Sequence, residues 1–148
     1  MKRLVLLLLL AGCGSAEEQA PPPTKAAPKT APQAPAPSAE ALADADAAAA
    51  ALRLYYEHIG RRDYRAAWRL RENRPGLAFE TFAASFEPYA DYRATVGMAS
   101  LPVEADGAVW VEVPIQLYGR RRDGAPFGSV GRVTMKRPAA SREWRIAS

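Results

Sequence analysis

The sequence predicts an α+β domain: three N-terminal helices packed on a curved four-stranded antiparallel sheet. Between residues 38 and 89, apolar side chains recur every three or four positions, which is the period of an amphipathic helix. After Asp91 the period changes to two, as expected for half-buried strands. The apolar stripes of the helices can cover one face of the sheet, so residues 38–148 should form a single modest core.

The first helix is predicted to begin after Ser38, a favourable N-cap residue, and to stop at Gly60. Its first half offers only alanine methyl groups for burial, so we expect that half to fray or to extend the segment before it. The apolar stripe consists of Leu42, Ala49, Leu52, Tyr55, Tyr56 and Ile59.

Two shorter helices are predicted next. Asp63 can cap a helix over residues 64–70, and Pro75-Gly76 should interrupt the chain after it. A third helix is predicted over residues 78–89. Its aromatic residues stand three or four apart, a spacing typical of core packing rather than of a ligand site: Phe79, Phe82, Phe86 and Tyr89.

The second half of the chain reads as a meander of strands over residues 92–103, 109–118, 129–137 and 142–147, with a polar loop at 119–128. Pro114 cannot donate to a ladder, so it must lie at an edge, at a bulge, or where the neighbouring strand needs no hydrogen. In the clearest strand, every second residue is apolar and should face inward, and the residues between them are mostly polar or aromatic. The inward-facing residues are Val109, Val111, Val113, Ile115 and Leu117.

The N-terminal third is not patterned like a domain. Residues 1–12 join a positive start to an apolar run of about eight residues. That run is too short to span a membrane, which takes roughly 20 residues, but is typical of a secretory signal peptide. Residues 14–37 are rich in Ala and Pro without large apolar side chains, which predicts a disordered linker biased toward polyproline II. The linker could act as a spacer or simply as a neutral connection.

Leu10-Ala11-Gly12-Cys13 resembles the lipobox of bacterial lipoproteins. The resemblance implies cleavage before Cys13, attachment of lipid to its thiol, and a mature protein that begins at this residue. An ordinary signal peptide with an incidental cysteine is the alternative. Gly14 after the cysteine implies, by the same resemblance, the periplasmic side of the outer membrane in a bacterial cell envelope. Lipidation of Cys13 would leave no cysteine for a disulfide or a thiolate metal site.

Residues 45–148 resemble the NTF2-like superfamily, whose cystatin-like fold packs helices against the concave face of a curved sheet. The superfamily includes ketosteroid-isomerase-like and polyketide-cyclase-like enzymes, scaffolds and binding domains, so the fold alone leaves the function open. The matching features are Tyr55-Tyr56 through Ile59, residues 63–68, the phenylalanine-bearing third helix, the strand meander and the closing segment 143–146.

Sequence patterns point to no catalytic, cofactor or metal site. His58 is the only histidine, so neither a Ser-His-Asp arrangement nor a histidine metal site has support. The basic residues, with a net charge of +4, are scattered rather than gathered in a stripe, which argues against a nucleic-acid partner. An isomerase-like alternative would use Asp91 as a base beside Tyr55 or Tyr56. The arginine run at 120–122 could bind an anion but is more typical of a solvated hairpin tip.

The outer face of the sheet is the predicted interaction surface. Trp110, Tyr118 and Arg132 should share this face if Val133 and Met135 point inward, and a mixture of rings and cations suits a protein interface. The superfamily resemblance implies dimerisation through the sheet. We therefore expect a lipid-anchored, non-catalytic envelope protein that binds a protein, a wall fragment or a small apolar ligand, with a homodimer or an envelope protein as partner. A passive spacer lipoprotein is a further alternative.

Overall fold

The computed structural model describes residues 36–72 and 75–147. The predicted signal peptide, the lipidation of Cys13 and nearly all of the predicted linker lie outside the described residues. The order of helices followed by antiparallel strands confirms the predicted fold class. The elements are α1 (Ala39–Gly60), α2 (Tyr64–Arg69), α3 (Phe79–Ala84), β1 (Tyr89–Val96), β2 (Val103–Ala105), β3 (Ala108–Arg121), β4 (Pro126–Pro138) and β5 (Arg145–Ile146).

The predicted caps hold the first two helices in place. The Ser38 hydroxyl accepts a hydrogen bond from the Ala41 amide at 3.1 Å, and Asp63 Oδ1 accepts one from the Ala66 amide at 3.1 Å. Gly60 was predicted to be the first residue after the first helix, but it is the last residue within the helix. The left-handed conformation that turns the chain falls at Arg62, whose φ is 62°.

The expectation that the first half of α1 frays is wrong, because that half is helical from Ala39 and packs against the sheet. Its alanines face the core, with Ala45, Ala48 and Ala49 buried. Leu42, which the sequence placed in the apolar stripe, is 48% exposed. The contact face of the first three turns therefore consists of small residues, which allow a helix backbone to approach its neighbours closely.

The third helix is shorter than predicted. It ends at Ala84, residues 85–88 form turns, and Tyr89 already belongs to β1. Pro88 explains the difference, because a proline disfavours helical conformation in the residue before it and cannot continue the helix itself. The Ser85 hydroxyl donates to the Phe82 carbonyl at 2.6 Å, which satisfies one of the last helical acceptors.

The sheet has the order β1-β3-β4-β5, with the short β2 also paired to β3, and all of these pairs are antiparallel. The described residues thus form five strands rather than the four predicted. The predicted loop 119–128 is mostly strand, because backbone pairing between β3 and β4 continues to Arg120 opposite Pro126. Only residues 122–125 turn, where Asp123 accepts from the Ala125 amide and Gly124 adopts a φ of 84°.

Pro114 divides the predicted strand 92–103 into β1 and β2. The Pro114 carbonyl accepts a hydrogen bond from the Gly97 amide at 2.9 Å, but the proline has no N–H to return. The connection that follows stays beside β3, where the Ser100 amide donates to the Glu112 carbonyl at 2.8 Å. The Ser100 hydroxyl accepts from the Glu112 amide at 3.0 Å. Pro114 therefore lies where the ladder of β1 ends.

The core lies between the concave face of the sheet and the helices. The predicted inward face of β3 is confirmed, since Val109, Val111, Val113 and Ile115 are all buried. Val133 and Met135 of β4 are buried beside them, as predicted. Burying a side chain of this size stabilises the fold by about 1.5–3 kcal/mol, so these strands supply a large part of the hydrophobic stabilisation. The helices contribute Leu52, Tyr55, Ile59, Ala67 and Phe82 to the same cluster.

Candidate functional site

The three predicted interaction residues lie on one face of the sheet but do not form a single contact patch. On the β3–β4 ladder, Trp110 lies opposite Lys136, Pro114 opposite Arg132, and Tyr118 opposite Gly128. Trp110 and Tyr118 belong to the same strand, eight positions apart, which corresponds to about 26 Å. Arg132 lies roughly midway between them. A partner would have to cover most of the outer face to contact all three.

Trp110 is held in a local cluster rather than presented as a free ring. Lys136 Nζ lies 4.8 Å from the centre of the Trp110 ring, and the indole N–H donates to the Ala105 carbonyl at 3.3 Å. The same ammonium group contacts Glu72 Oε1 at 3.0 Å. These contacts leave the ring half-buried, so Trp110 contributes mainly to the local stability of the outer face.

Arg132 lies beside an exposed apolar residue. Its guanidinium pairs with Glu112 at 3.4 Å, and both side chains are more than half exposed, so the ion pair contributes little to stability. Val130, two residues before Arg132 on the same face, is 79% exposed. The strand over residues 129–137 was predicted, but Val130 was not among the residues predicted for its outer face.

β4 has an open edge along half of its length. β5 pairs only with Met135 and Lys136, and the Ala147 amide donates to the Thr134 carbonyl at 2.9 Å. Backbone groups alternate between the two edges of an antiparallel strand. The N–H and C=O groups of the even-numbered residues of β4, such as Thr134, therefore point away from β3. Among the described residues no strand pairs with the edge of β4 that faces away from β3 at Gly128, Val130 and Arg132, which we call the β4 edge.

Sequence patterns do not reveal the β4 edge, because they predict a last strand over residues 142–147, long enough to cover more of β4. The observed β5 contains two residues. On its other side the Ile146 amide donates to the Leu70 carbonyl at 2.9 Å, and the Glu72 amide donates back to the Ile146 carbonyl at 2.8 Å. The segment after α2 thus pairs with the edge of β5 that faces away from β4, an arrangement that no local pattern reveals.

A second candidate surface is a groove of about 460 Å³ between the C-terminal half of α1 and β1, which we call the α1–β1 groove. It is open to solvent rather than enclosed. Its floor is apolar and aromatic, with Tyr56, Tyr92, Ala94 and Val96. Charged side chains surround this floor, and the remaining lining residues are Arg53, Glu57, Gly60, Arg61, Arg93 and Tyr118.

The tyrosines at and behind this groove are held in their neutral form. Burial raises the pKa of Tyr92 to about 12, and the nearby hydroxyls of Tyr55 and Tyr89 add to this effect. Burial also raises the pKa of Tyr56, with a smaller contribution from Tyr55. The pKa of Tyr55 is raised by burial, although a hydrogen bond from Arg71 Nη1 at 3.3 Å opposes the shift. At neutral pH these phenols are therefore donors rather than bases.

The residues of the isomerase-like alternative do not form one site. The Asp91 carboxylate pairs with Arg93 Nε at 3.1 Å, and the side chains of this pair are 44% and 65% exposed. Neither Tyr55 nor Tyr56 is hydrogen-bonded to Asp91; the Tyr55 hydroxyl is bonded to Arg71 instead. Aromatic rings occupy the space behind β1, where the centres of the Phe86 and Tyr92 rings are 5.3 Å apart.

The remaining candidate residues have local structural contacts. His58 Nδ1 lies 3.6 Å from Asp63 Oδ2, the carboxylate that caps α2. In the arginine run, Arg120 Nη1 donates to the Gly124 carbonyl at 3.2 Å, and the Arg122 amide donates to the Pro88 carbonyl at 2.8 Å. The run thus stabilises the hairpin tip and ties it to the turn before β1.

Two further properties bear on the kind of protein. Within residues 36–72 and 75–147, no three His, Cys, Asp or Glu side chains are grouped so that they could hold a metal ion. In the same part of the chain, no helix combines the length and the apolar character that crossing a membrane requires.

Several solved structures share this architecture. An NTF2-like superfamily protein from Salmonella enterica serovar Typhimurium LT2 matches with a TM-score of 0.52 at 15% identity, covering 71% of this chain and 87% of that one. A putative aromatic ring hydroxylase from Novosphingobium aromaticivorans matches with a TM-score of 0.57 at 11% identity, covering 78% and 87%. The association domain of C. elegans CaMKII matches with a TM-score of 0.52 at 12% identity, covering 74% and 95%.

At such low identity these likenesses define the fold, which is the NTF2-like α+β fold predicted from the sequence. The sequence matches no protein-family model, and no curated protein matches it significantly. Proteins with this fold include both enzymes and non-catalytic proteins, so the function has to be argued from the surfaces of this chain.

Proposed function

We propose that this chain is a lipid-anchored protein of the bacterial cell envelope whose NTF2-like domain acts by binding and not by catalysis. The lipobox-like segment ending at Cys13 supports the anchor. Stable anchoring by lipid takes at least two membrane signals, which more than one acyl chain on Cys13 would supply. Substituting Cys13→Ser should move the protein from the membrane fraction of the envelope to the aqueous fraction. An unchanged membrane fraction would argue against lipid attachment.

The β4 edge is the observation that carries the binding function. An uncovered strand edge is a template for pairing with another chain, and proteins usually block such edges with charges, prolines, bulges or a covering segment. Here the edge runs through Gly128, Val130 and Arg132, and only Arg132 is charged. Val130 remains 79% exposed. We propose that two copies of the chain pair through this edge.

Antiparallel pairing about a two-fold axis at Val130 suits these residues. Val130 would face its own counterpart, and Arg132 of each copy would lie opposite Gly128 of the other, so no like charges would be directly opposed. The occurrence of an association domain among solved structures of this fold is in keeping with such a role. An envelope protein that adds a strand to the same edge is the alternative partner.

Three features argue against catalysis. The predicted base, Asp91, is paired with Arg93 and open to solvent rather than set in an apolar pocket. The tyrosines nearest to a cavity are neutral donors with no carboxylate bonded to them. The concave side of the sheet is filled by a packed core that includes Leu52, Phe82 and Met135.

Sedimentation velocity of the full chain tests self-association. The wild-type chain should sediment as a dimer at high micromolar concentration. A Val130→Lys variant should sediment as a monomer, because the substitution places two ammonium groups side by side at the two-fold axis. Thr95→Lys, an equal charge change at an exposed position of β1, should leave the dimer intact. A monomeric wild-type chain, or dissociation by both variants, would contradict pairing at the β4 edge.

A further inference from the structure

We infer that the α1–β1 groove is a binding site for an extended peptide in which acidic and apolar residues alternate. The site lies at the opposite end of the strand order from the β4 edge. The inference therefore stands independently of self-association and of lipid attachment. It depends on three properties of the groove: its backbone groups, its two-sided side-chain pattern and its charge.

The backbone of β1 offers hydrogen-bonding groups to the groove. The Gly97 amide donates to the Pro114 carbonyl on β3. The backbone N–H and C=O groups of odd-numbered residues at this end of β1 therefore point toward β3, and those of even-numbered residues point away from it. Tyr92, the first of these, is close to α1, since a Cβ on Gly60 would lie 3.4 Å from the Tyr92 carbonyl oxygen. Ala94 and Val96, which also line the groove, therefore present their N–H and C=O groups on the side of β1 where no strand pairs among the described residues. An added strand can pair with both residues.

The two faces of β1 differ in character at this edge. Tyr92, Ala94 and Val96 face the groove floor together with Tyr56. Arg93 projects from the other face, where it lies opposite Tyr118 of β3. Side chains of an added strand alternate between the same two faces. Residues of one parity would contact the aromatic floor, and residues of the other parity would meet the Arg93 guanidinium.

The charge around the groove favours an acidic occupant. Its lining contains three arginines, Arg53, Arg61 and Arg93, against one carboxylate, Glu57. Glu57 contacts Arg61 at 3.6 Å, and both side chains are more than half exposed. Arg93 is paired with Asp91, which is also exposed. Exposed pairs of this kind are weak, so a carboxylate of the peptide can replace Glu57 or Asp91 at little cost.

The size and shape of the groove suit a short strand. Its volume of about 460 Å³ falls within the roughly 300–1,000 Å³ of typical ligand sites and accommodates a few side chains rather than a folded domain. The groove is open to solvent, which allows a peptide to enter and leave. A lipophilic carboxylate could bind the apolar floor of the groove but would not pair with the backbone groups of Ala94 and Val96. Dodecanoate, a ligand of this kind, therefore serves as a comparison in the experiment.

The test uses the full chain and a blocked peptide, acetyl-Glu-Val-Glu-Leu-Glu-amide. Calorimetry should detect binding, and NMR should show the largest amide shifts at Ala94 and Val96. Arg53→Ala and Arg93→Ala should each weaken binding about fivefold, as expected for loss of one charge contact at the rim of an interface. Arg69→Ala, which removes an exposed arginine from α2, should leave the affinity unchanged. Arg53 is an exposed helical residue, so its variant stays informative if Arg93→Ala fails to fold.

Three further probes separate the inference from its alternatives. The same peptide with lysine in place of glutamate should bind at least tenfold more weakly, and so should a peptide methylated on the amide nitrogens that face β1. Dodecanoate should leave the Ala94 and Val96 amides unshifted. Equal binding of the lysine peptide or of the methylated peptide would overturn the inference. It would also be overturned if the acidic peptide shifted Gly128–Arg132 instead of Ala94 and Val96.

Discussion

Asp44 Oδ2 accepts a hydrogen bond from Arg137 Nη2 at 2.6 Å, which joins the alanine-rich first half of α1 to the end of β4. The two side chains are only 23% and 12% exposed. Arg137 Nη1 also donates to the Ser141 carbonyl at 2.9 Å, and the guanidinium lies 5.4 Å from the centre of the Trp144 ring. This ion pair explains why a helical segment with so little apolar surface is held against the sheet.

Removing one partner of this pair should destabilise the domain. We expect Arg137→Ala to lower the free energy of unfolding by about 2–4 kcal/mol, because the Asp44 carboxylate would remain largely buried without its partner. Urea unfolding would measure the loss, and a double-mutant cycle with Asp44→Ala would isolate the coupling. Arg132→Ala, which breaks an exposed pair, should cost less than about 0.5 kcal/mol. Independent, additive effects of Asp44→Ala and Arg137→Ala would contradict this role.

The local patterns of the sequence were sufficient to predict the inner face of the sheet. Between Val109 and Ile115, buried residues alternate with more exposed ones along one strand. This period is visible in the sequence without knowledge of the neighbouring strands. The Asp44–Arg137 pair could not be predicted, because its partners are 93 positions apart and each resembles an ordinary surface charge.

The extent of the strands depended on neighbours in the same way. The division between β1 and β2 follows from the position of Pro114 on the adjacent strand, and the open β4 edge follows from the shortness of β5, which has two residues. Trp110, Tyr118 and Arg132, the residues predicted to form an interaction surface, do share the outer face of the sheet. Their separation, and the cover that Lys136 provides for Trp110, became apparent only in three dimensions.

Gly119 should be intolerant of any side chain. Its φ is 153°, and an added Cβ would clash with the backbone carbonyl of Asp91 and lie 2.9 Å from Phe127 Cε1. We expect Gly119→Ala to separate β1 from β3 locally and to lower the free energy of unfolding by about 2 kcal/mol or more. Gly131→Ala is the matched control, because a Cβ there meets no atom within 4 Å. Equal unfolding midpoints in urea for the two variants would contradict the close approach of β1.

Two leucines of α1 should respond differently to truncation. Leu52 is fully buried, whereas Leu54, two residues later, is 43% exposed. Leu52→Ala should cost about 2–5 kcal/mol of unfolding free energy, through lost burial and the cavity left in the core. Leu54→Ala should cost less than about 1 kcal/mol, because the side chain already contacts water. Thermal or urea unfolding of both variants would compare them, and similar losses would mean that α1 is rotated relative to the structure described.

Stability should fall as the pH rises from about 10 toward 12. An exposed tyrosine ionises near pH 10, but burial raises the pKa of Tyr92 in the folded chain to about 12. Within this window the unfolded chain releases a proton that the folded chain retains, so unfolding becomes more favourable. Below pH 10 both states keep the proton, and the contribution of Tyr92 is constant.

Tyr92→Phe provides the measurement. Urea unfolding at pH 9, 10 and 11 should show a smaller loss of stability with pH in this variant than in the wild-type chain. The difference in slope should correspond to at most one proton released on unfolding. Tyr55 and Tyr56, whose pKa values burial also raises, should account for part of the slope that remains. Identical slopes for the two chains would mean that the Tyr92 hydroxyl is more accessible to water than the structure indicates.

Intact-mass analysis of the mature chain, isolated from the bacterial envelope, tests most directly that this is a lipid-anchored binding domain. We predict a protein that begins at Cys13 and carries the added mass of a diacylglyceryl group and a further acyl chain. The Cys13→Ser chain should carry neither modification. A mature wild-type chain with an unmodified thiol at Cys13 would contradict the lipid anchor.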